Sequence, residues 1–134
     1  MRTVLRAALA AALVNLLCAA GCSRSEPTPG AAAVATAPKK DPATARKMIA
    51  EGAAVVDVRT PGEFADEHLP GAINVPVDSL REHLAEIDKL VDGDKARPVV
   101  VYCAAGSRAA KAKVALEAVG YQRVVNGGGL DDLR

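Results

Sequence analysis

Aromatic side chains make up only 2% of this 134-residue chain: Phe64, Tyr102 and Tyr121, with no tryptophan. Stacking on single-stranded nucleic acid needs an aromatic platform that so few rings do not supply. Charge of one sign is equally scarce, with 17 Lys and Arg against 16 Asp and Glu. That balance leaves no basic footprint for a duplex, so no nucleic-acid partner is expected. Three cysteines, Cys18, Cys22 and Cys103, are too few for a disulfide scaffold. The two histidines, His68 and His83, stand at no metal-ligand spacing from a cysteine, so neither a metal nor another cofactor is expected. No apolar run reaches the roughly 20 residues of a membrane-spanning helix.

What is present begins with a segment set apart from any fold. Arg2 and Arg6 open the chain, and Ala7 to Ala20 is apolar except for Asn15. Small residues then lead to Cys22, which is the layout of a secretory signal. Ala19-Ala20-Gly21-Cys22 resembles a bacterial lipoprotein signal, in which the cysteine after the small residue is acylated and becomes the new N-terminus. A leucine is commoner where Ala19 stands, and an ordinary cleaved signal with a coincidental cysteine fits the same residues. Either way residues 1–21 are expected to leave. Removing Arg2 and Arg6 from 17 basic residues leaves 15 against 16 acidic ones, a net charge of −1. The expected location is the periplasmic side of an exported protein, held to a membrane by lipid on Cys22.

Residues 22–40 read as a flexible linker. From Ser23 onward Pro, Ala, Ser, Thr and Gly dominate with no persistent period. Such a stretch buries too little apolar surface to offset the entropy of ordering it.

Residues 41–134 are expected to fold. Asp41-Pro42 is an N-cap followed by proline at the first helical position, and Ala43 to Glu51 continues as a helix closed by Gly52. Ala54 to Val58 is a compact β-branched run, read as a buried strand. Pro61 to Glu67 suits a helical turn, Ala72 to Val75 a second strand, and Asp78 to Ile87 a helix with Leu80, Leu84 and Ile87 on one face. Pro98 to Tyr102 is the clearest strand. Ser107 to Val119 follows the helical period through Ala112, Ala115, Leu116 and Val119, and Gly120 ends it. Arg123 to Val125 is a last strand, with a turn expected at Gly127–Gly129. Helices alternating with continuous apolar strands predict an α/β domain, with a mostly parallel sheet covered by helices on both faces.

In such sheets ligands gather beyond the carboxyl ends of the strands. The clearest strand ends in Cys103-Ala104-Ala105-Gly106-Ser107-Arg108. Small residues let a loop curl and turn consecutive N–H groups inward into an anion nest. The helix that follows adds its positive N-terminus, and Arg108 adds a permanent forked charge. A cysteine in that cradle is expected to be a thiolate near neutral pH, and the same cradle suits an anionic substrate. A lone cysteine at a strand end is otherwise a small buried hydrophobe, but a loop without large residues makes poor core.

Two stretches in order carry a wider resemblance. The first is Asp57-Val58-Arg59-Thr60-Pro61-Gly62-Glu63-Phe64 with His68-Leu69-Pro70-Gly71-Ala72-Ile73-Asn74-Val75-Pro76. The second is Val99 to Ala110, and Gly120-Tyr121 with Asn126-Gly127-Gly128-Gly129-Leu130 matches a closing stretch. Together they resemble the rhodanese sulfurtransferase family across the whole domain, and the exported single-domain form resembles its periplasmic, phage-shock-type branch. Leu130 stands where many relatives carry tryptophan. The resemblance implies that Cys103 attacks the outer sulfur of an anionic donor such as thiosulfate, that sulfite leaves, and that a thiophilic acceptor, cyanide or a thiol, takes the sulfur from the persulfide. Ala104, Ala105, Gly106, Ser107 and Arg108 would bind the substrate, with Asp57 and Arg59 as buried structural support.

Two rivals use the same residues. Cysteine phosphatases also set a cysteine and an arginine around an anion, but their loop is one residue longer than the four between Cys103 and Arg108. A persulfide carrier without turnover is the other. His68 beside the loop reads as a turn residue before the second strand, and His83 as a solvated residue among Arg81, Glu82 and Glu86.

Overall fold

The computed structural model describes residues 39–134. The signal segment, Cys22 and almost all of the linker lie outside the described residues. The folded chain runs α1 (Pro42–Ala50), β1 (Ala54–Asp57), α2 (Pro61–Asp66), β2 (Ile73–Asn74), a 3₁₀ turn (Val77–Ser79), α3 (Leu84–Leu90), β3 (Val99–Cys103), α4 (Ser107–Ala118) and β4 (Val124–Gly129). The four strands form one sheet in the order β2-β1-β3-β4, and every neighbouring pair is parallel.

Alternation along the strands divides the core. Val99, Val101 and Cys103 of β3 face a cluster with Val56, Ile87, Ala109, Ala112 and Leu116, which brings in α3 and α4. Val100 and Tyr102 point the other way, to Val55, to Ala45 and Met48 of α1, and to Leu130 and Leu133. Successive side chains of a strand leave opposite faces, so helices cover both sides of the sheet as the sequence pattern requires. All five β3 residues are buried, which accounts for an unbroken apolar run where a one-sided sheet would alternate.

Local signals set several boundaries. The Asp41 carboxylate accepts from the Thr44 N–H at 3.0 Å and caps α1. Thr60 and Glu63 form a reciprocal capping box on α2, with Pro61 following the cap. Lys40, assigned to the linker by composition, pairs with Asp132 at 3.0 Å.

Two expectations about local structure are corrected. The helix expected from Asp78 to Ile87 is a 3₁₀ turn followed by α3, which begins only at Leu84. Glu82 and His83 donate their N–H groups three residues back, to Ser79 and Leu80, and His83 adopts φ −108°. The tighter winding still buries Leu80 and Ile87. His83 is therefore not a solvated residue: it is half-buried, with Nδ1 2.9 Å from the Ser79 carbonyl. The second correction concerns Gly127–Gly129, which lie inside β4 and not in a turn. Gly129 is the register partner of Cys103 past an irregularity in the ladder. A methyl group on Gly129 would overlap the Ala104 carbonyl oxygen, so the missing side chain is what admits the strand there.

Candidate active site

Strand order reverses between β1 and β3, because β1 continues to β2 on one side and β3 to β4 on the other. The crevice at such a reversal is the usual ligand site of a parallel sheet. Cys103 ends β3 there and is 1% exposed. The chain after it folds back over the sulfur: Gly106 takes φ +100° and donates its N–H to Sγ at 3.0 Å. Gly106 is also the N-cap of α4, without a side-chain cap. One of the free N–H groups at the start of the helix is thus directed at the sulfur.

The electrostatics follow from that placement. Burial pushes the Cys103 thiol up, but the backbone N–H groups of Ala109, Ala105, Gly106 and Arg108 favour the thiolate and bring its pKa below the ordinary thiol value; of these, Gly106 donates to the sulfur at 3.0 Å. Hydrogen bonds to the charged form favour it. Ala109, in the first turn of α4, is a contributor that the sequence analysis did not name. Ala104 and Ser107 are exposed residues of the loop.

Arg108 is placed differently from the expectation of a cation committed to Cys103 and the substrate. Its Nη1 and Nη2 donate to Glu63 Oε2 and Oε1, each at 2.8 Å. That bond, together with the charges of Glu63 and Cys103, raises the guanidinium pKa against the opposing effect of burial. Glu63 is held in turn by Thr60, whose N–H and Oγ1 donate to Oε2 at 3.0 and 2.9 Å. The Thr60-x-x-Glu63 spacing marks a capping box in the sequence. Nothing local marks its outer edge as the partner of an arginine 45 residues later.

Asn126 supports the loop from β4. Its Nδ2 donates to the Gly106 carbonyl at 3.0 Å, and its Oδ1 accepts from the Gly128 N–H at 2.9 Å. Asn126 is 2% exposed and was visible beforehand only as part of the closing stretch. Asp57 and Arg59 form the expected buried contacts. Arg59 donates from Nε and Nη2 to the Asp57 carboxylate at 3.0 and 2.7 Å, and from its own backbone N–H at 2.9 Å. Its Nη2 also reaches the Glu67 carbonyl at 2.5 Å. His68 is exposed and turned toward α2: Nδ1 lies 2.8 Å from the Phe64 carbonyl, and the two rings stack with centroids 3.9 Å apart. Among the described residues no group of three or more His, Cys, Asp and Glu could hold a metal ion.

Comparison with known proteins bears on the family and the fold. The model of the rhodanese-like domain matches residues 41–132. The thiosulfate sulfurtransferase PspE of Escherichia coli K12 is 41% identical over 78 residues, covering 58% of this chain and 71% of that protein. A sulfurtransferase of Allochromatium vinosum is 37% identical over 76 residues, covering 57% of this chain and 65% of its own length. Among solved structures, a rhodanese with anions from E. coli is 40% identical with a TM-score of 0.53, covering 59% of this chain and 88% of that one. The match across residues 41–132 and the fold show that the chain belongs to the rhodanese-like domain family.

Proposed function

We propose that this protein moves the sulfane sulfur of thiosulfate, or a similar anionic donor, through a persulfide on Cys103 to cyanide or a thiol. The observation that carries the reading is the turn of the chain over Cys103 at the sheet's reversal point, where the Gly106 N–H donates to Sγ at 3.0 Å at the start of α4. In the first half-reaction the thiolate attacks the outer sulfur of thiosulfate. The bond between that sulfur and the sulfonate breaks, and its electron pair leaves on sulfite. In the second, the acceptor attacks the outer sulfur of the persulfide and the pair returns to Cys103 as thiolate. This is covalent catalysis in two displacements. The Gly106 N–H is in place before the reaction and stabilises the thiolate that attacks and is later regenerated. Arg108 offers its charge to the sulfonate end of the donor, and Ala104, Ala105, Gly106 and Ser107 form the wall the donor meets. The names of the related sulfurtransferases support this choice of chemistry, and the four-residue loop favours one sulfur atom over a phosphoryl group.

The test is intact mass after incubation with thiosulfate, followed by a thiol. Wild-type protein should gain one sulfur atom on Cys103, release sulfite and lose the sulfur to the acceptor. Cys103→Ser should do none of these. Sulfur uptake without discharge would point to a carrier, and faster hydrolysis of an aryl phosphate than sulfur transfer would overturn the reading.

The same proposal includes the exported setting. The basic start, the short apolar run and the Gly21-Cys22 junction support lipid attachment at Cys22. Cys22→Ala should release the protein from membranes and abolish fatty-acid labelling; unchanged labelling would refute the anchor.

A further inference from the structure

Glu63 performs two tasks with one carboxylate. Oε2 closes the capping box with Thr60 and accepts from Arg108, while Oε1 accepts a second bond from Arg108. Exposed ion pairs are ordinarily weak because two long side chains must be held in one geometry. Here the carboxylate is already fixed by its bonds to Thr60, and the bidentate contact fixes the plane of the guanidinium as well. Both side chains are about one-third exposed, at 32% for Arg108 and 35% for Glu63. Bonds to Arg108 first, and then to Thr60, outweigh burial and bring the Glu63 pKa down to about 2, so the carboxylate stays ionised across the working range. Arg108 follows the loop that turns over Cys103, and the charge of that sulfur acts on its guanidinium. Glu63 thus ties the start of α2 to the arginine at the loop's end.

We propose that Glu63 is a positioning residue of sulfur transfer, anchoring the Arg108 guanidinium beside Cys103 so that its remaining N–H groups meet the anionic donor. The inference rests on the sulfurtransferase reading and assigns Glu63 a role that acts through Arg108 alone. An oriented arginine loses less freedom when it takes up an anion, because its plane is set beforehand.

A double-mutant cycle tests it in the full chain with thiosulfate. Glu63→Gln keeps an oxygen for the capping box but loses one acceptor for Arg108. Glu63→Asp keeps the charge but is one methylene too short. Each should lower kcat/KM for thiosulfate about 10-fold or more, mainly through a higher KM, as expected when a preorganised donor is loosened. In an Arg108→Ala background the Glu63 substitutions should change kcat/KM less than about twofold, since residues acting through one another are non-additive. The pH profile of Cys103 alkylation, which needs no turnover, should shift the same way in Glu63→Gln as in Arg108→Ala. Equal losses with and without Arg108 would overturn the role, as would full activity in Glu63→Asp or an alkylation shift opposite to that of Arg108→Ala. A wild-type protein that takes up no sulfur would instead overturn the underlying activity, and the alkylation profiles would still decide whether Glu63 positions Arg108.

Discussion

The side-chain amide of Asn126 joins β4 to the turn over the cysteine: it donates to Gly106 at 3.0 Å and accepts from Gly128 at 2.9 Å. Gly106 keeps a second donor to its carbonyl, the Ala110 N–H at 2.9 Å. Asn126→Ala should therefore leave chiefly the buried Gly128 N–H without that acceptor, at a cost of about 1–3 kcal/mol. Urea unfolding should show a lower midpoint at an unchanged slope. Because the Gly106 N–H donates to the sulfur, the Cys103 alkylation profile should also move to higher pH.

Cys103 should react with an alkylating agent along a pH profile shifted below that of an ordinary free thiol. A depressed native pKa also has a sign for stability. The thiolate contributes stability above the unfolded thiol's pKa, and that contribution is lost as pH falls through the folded value. The stability difference between wild type and Cys103→Ala should thus shift in favour of wild type as pH rises across this window. Peptide mapping after alkylation at each pH, with urea unfolding of both proteins, checks both parts. Glu63, with its pKa near 2, should add no limb to the acid side of the activity profile until that region is reached.

Gly129→Ala should damage the site without touching any charged group. Its methyl would meet the Ala104 carbonyl, which belongs to backbone and has little room to move. The loop must shift for the chain to fold, so sulfur uptake should fall by roughly 10-fold or more, on the scale of losing a preorganised donor. Gly62→Ala, whose methyl meets nothing within 4 Å, is the control and should retain both fold and activity. Circular dichroism and sulfite release separate misfolding from misplacement.

Arg59→Met should be far more destabilising than its distance from the sulfur suggests. It would strand the Asp57 carboxylate, whose side chain is 0% exposed, at a cost of about 3–5 kcal/mol. Combining it with Asp57→Asn should recover part of that loss, because the buried charge is removed with its partner. Unfolding midpoints of the two single variants and the double variant measure the coupling.

The sequence made the frame of this site legible and left its cross-links hidden. Val99 to Tyr102 reads as a strand because consecutive β-branched residues suit a sheet buried on both faces, and the small residues after Cys103 read as an anion loop. Both signals are local. Glu63 meets Arg108, and Asn126 meets Gly106, only after β1, β3 and β4 have come into register, so no window of neighbouring residues contains either contact. The helix expected from Asp78 failed for a different reason. Its apolar spacing is compatible with α and 3₁₀ winding alike over so few residues, and the His83 ring settles on the Ser79 carbonyl. The three glycines of β4 misled because glycine ordinarily marks a turn or a weak strand, whereas here the strand runs where side chains would not fit.

The donor to Cys103 Sγ is a main-chain N–H, that of Gly106, and this separates two kinds of evolutionary change. Its bond depends on the path of the loop and not on a side chain, so substitutions at Ala105 that preserve that path leave it in place. The side chains of Ala104, Ala105 and Ser107 are exposed and face whatever approaches. Change at these three positions thereby alters the outer face of the loop while the bond to sulfur keeps its place.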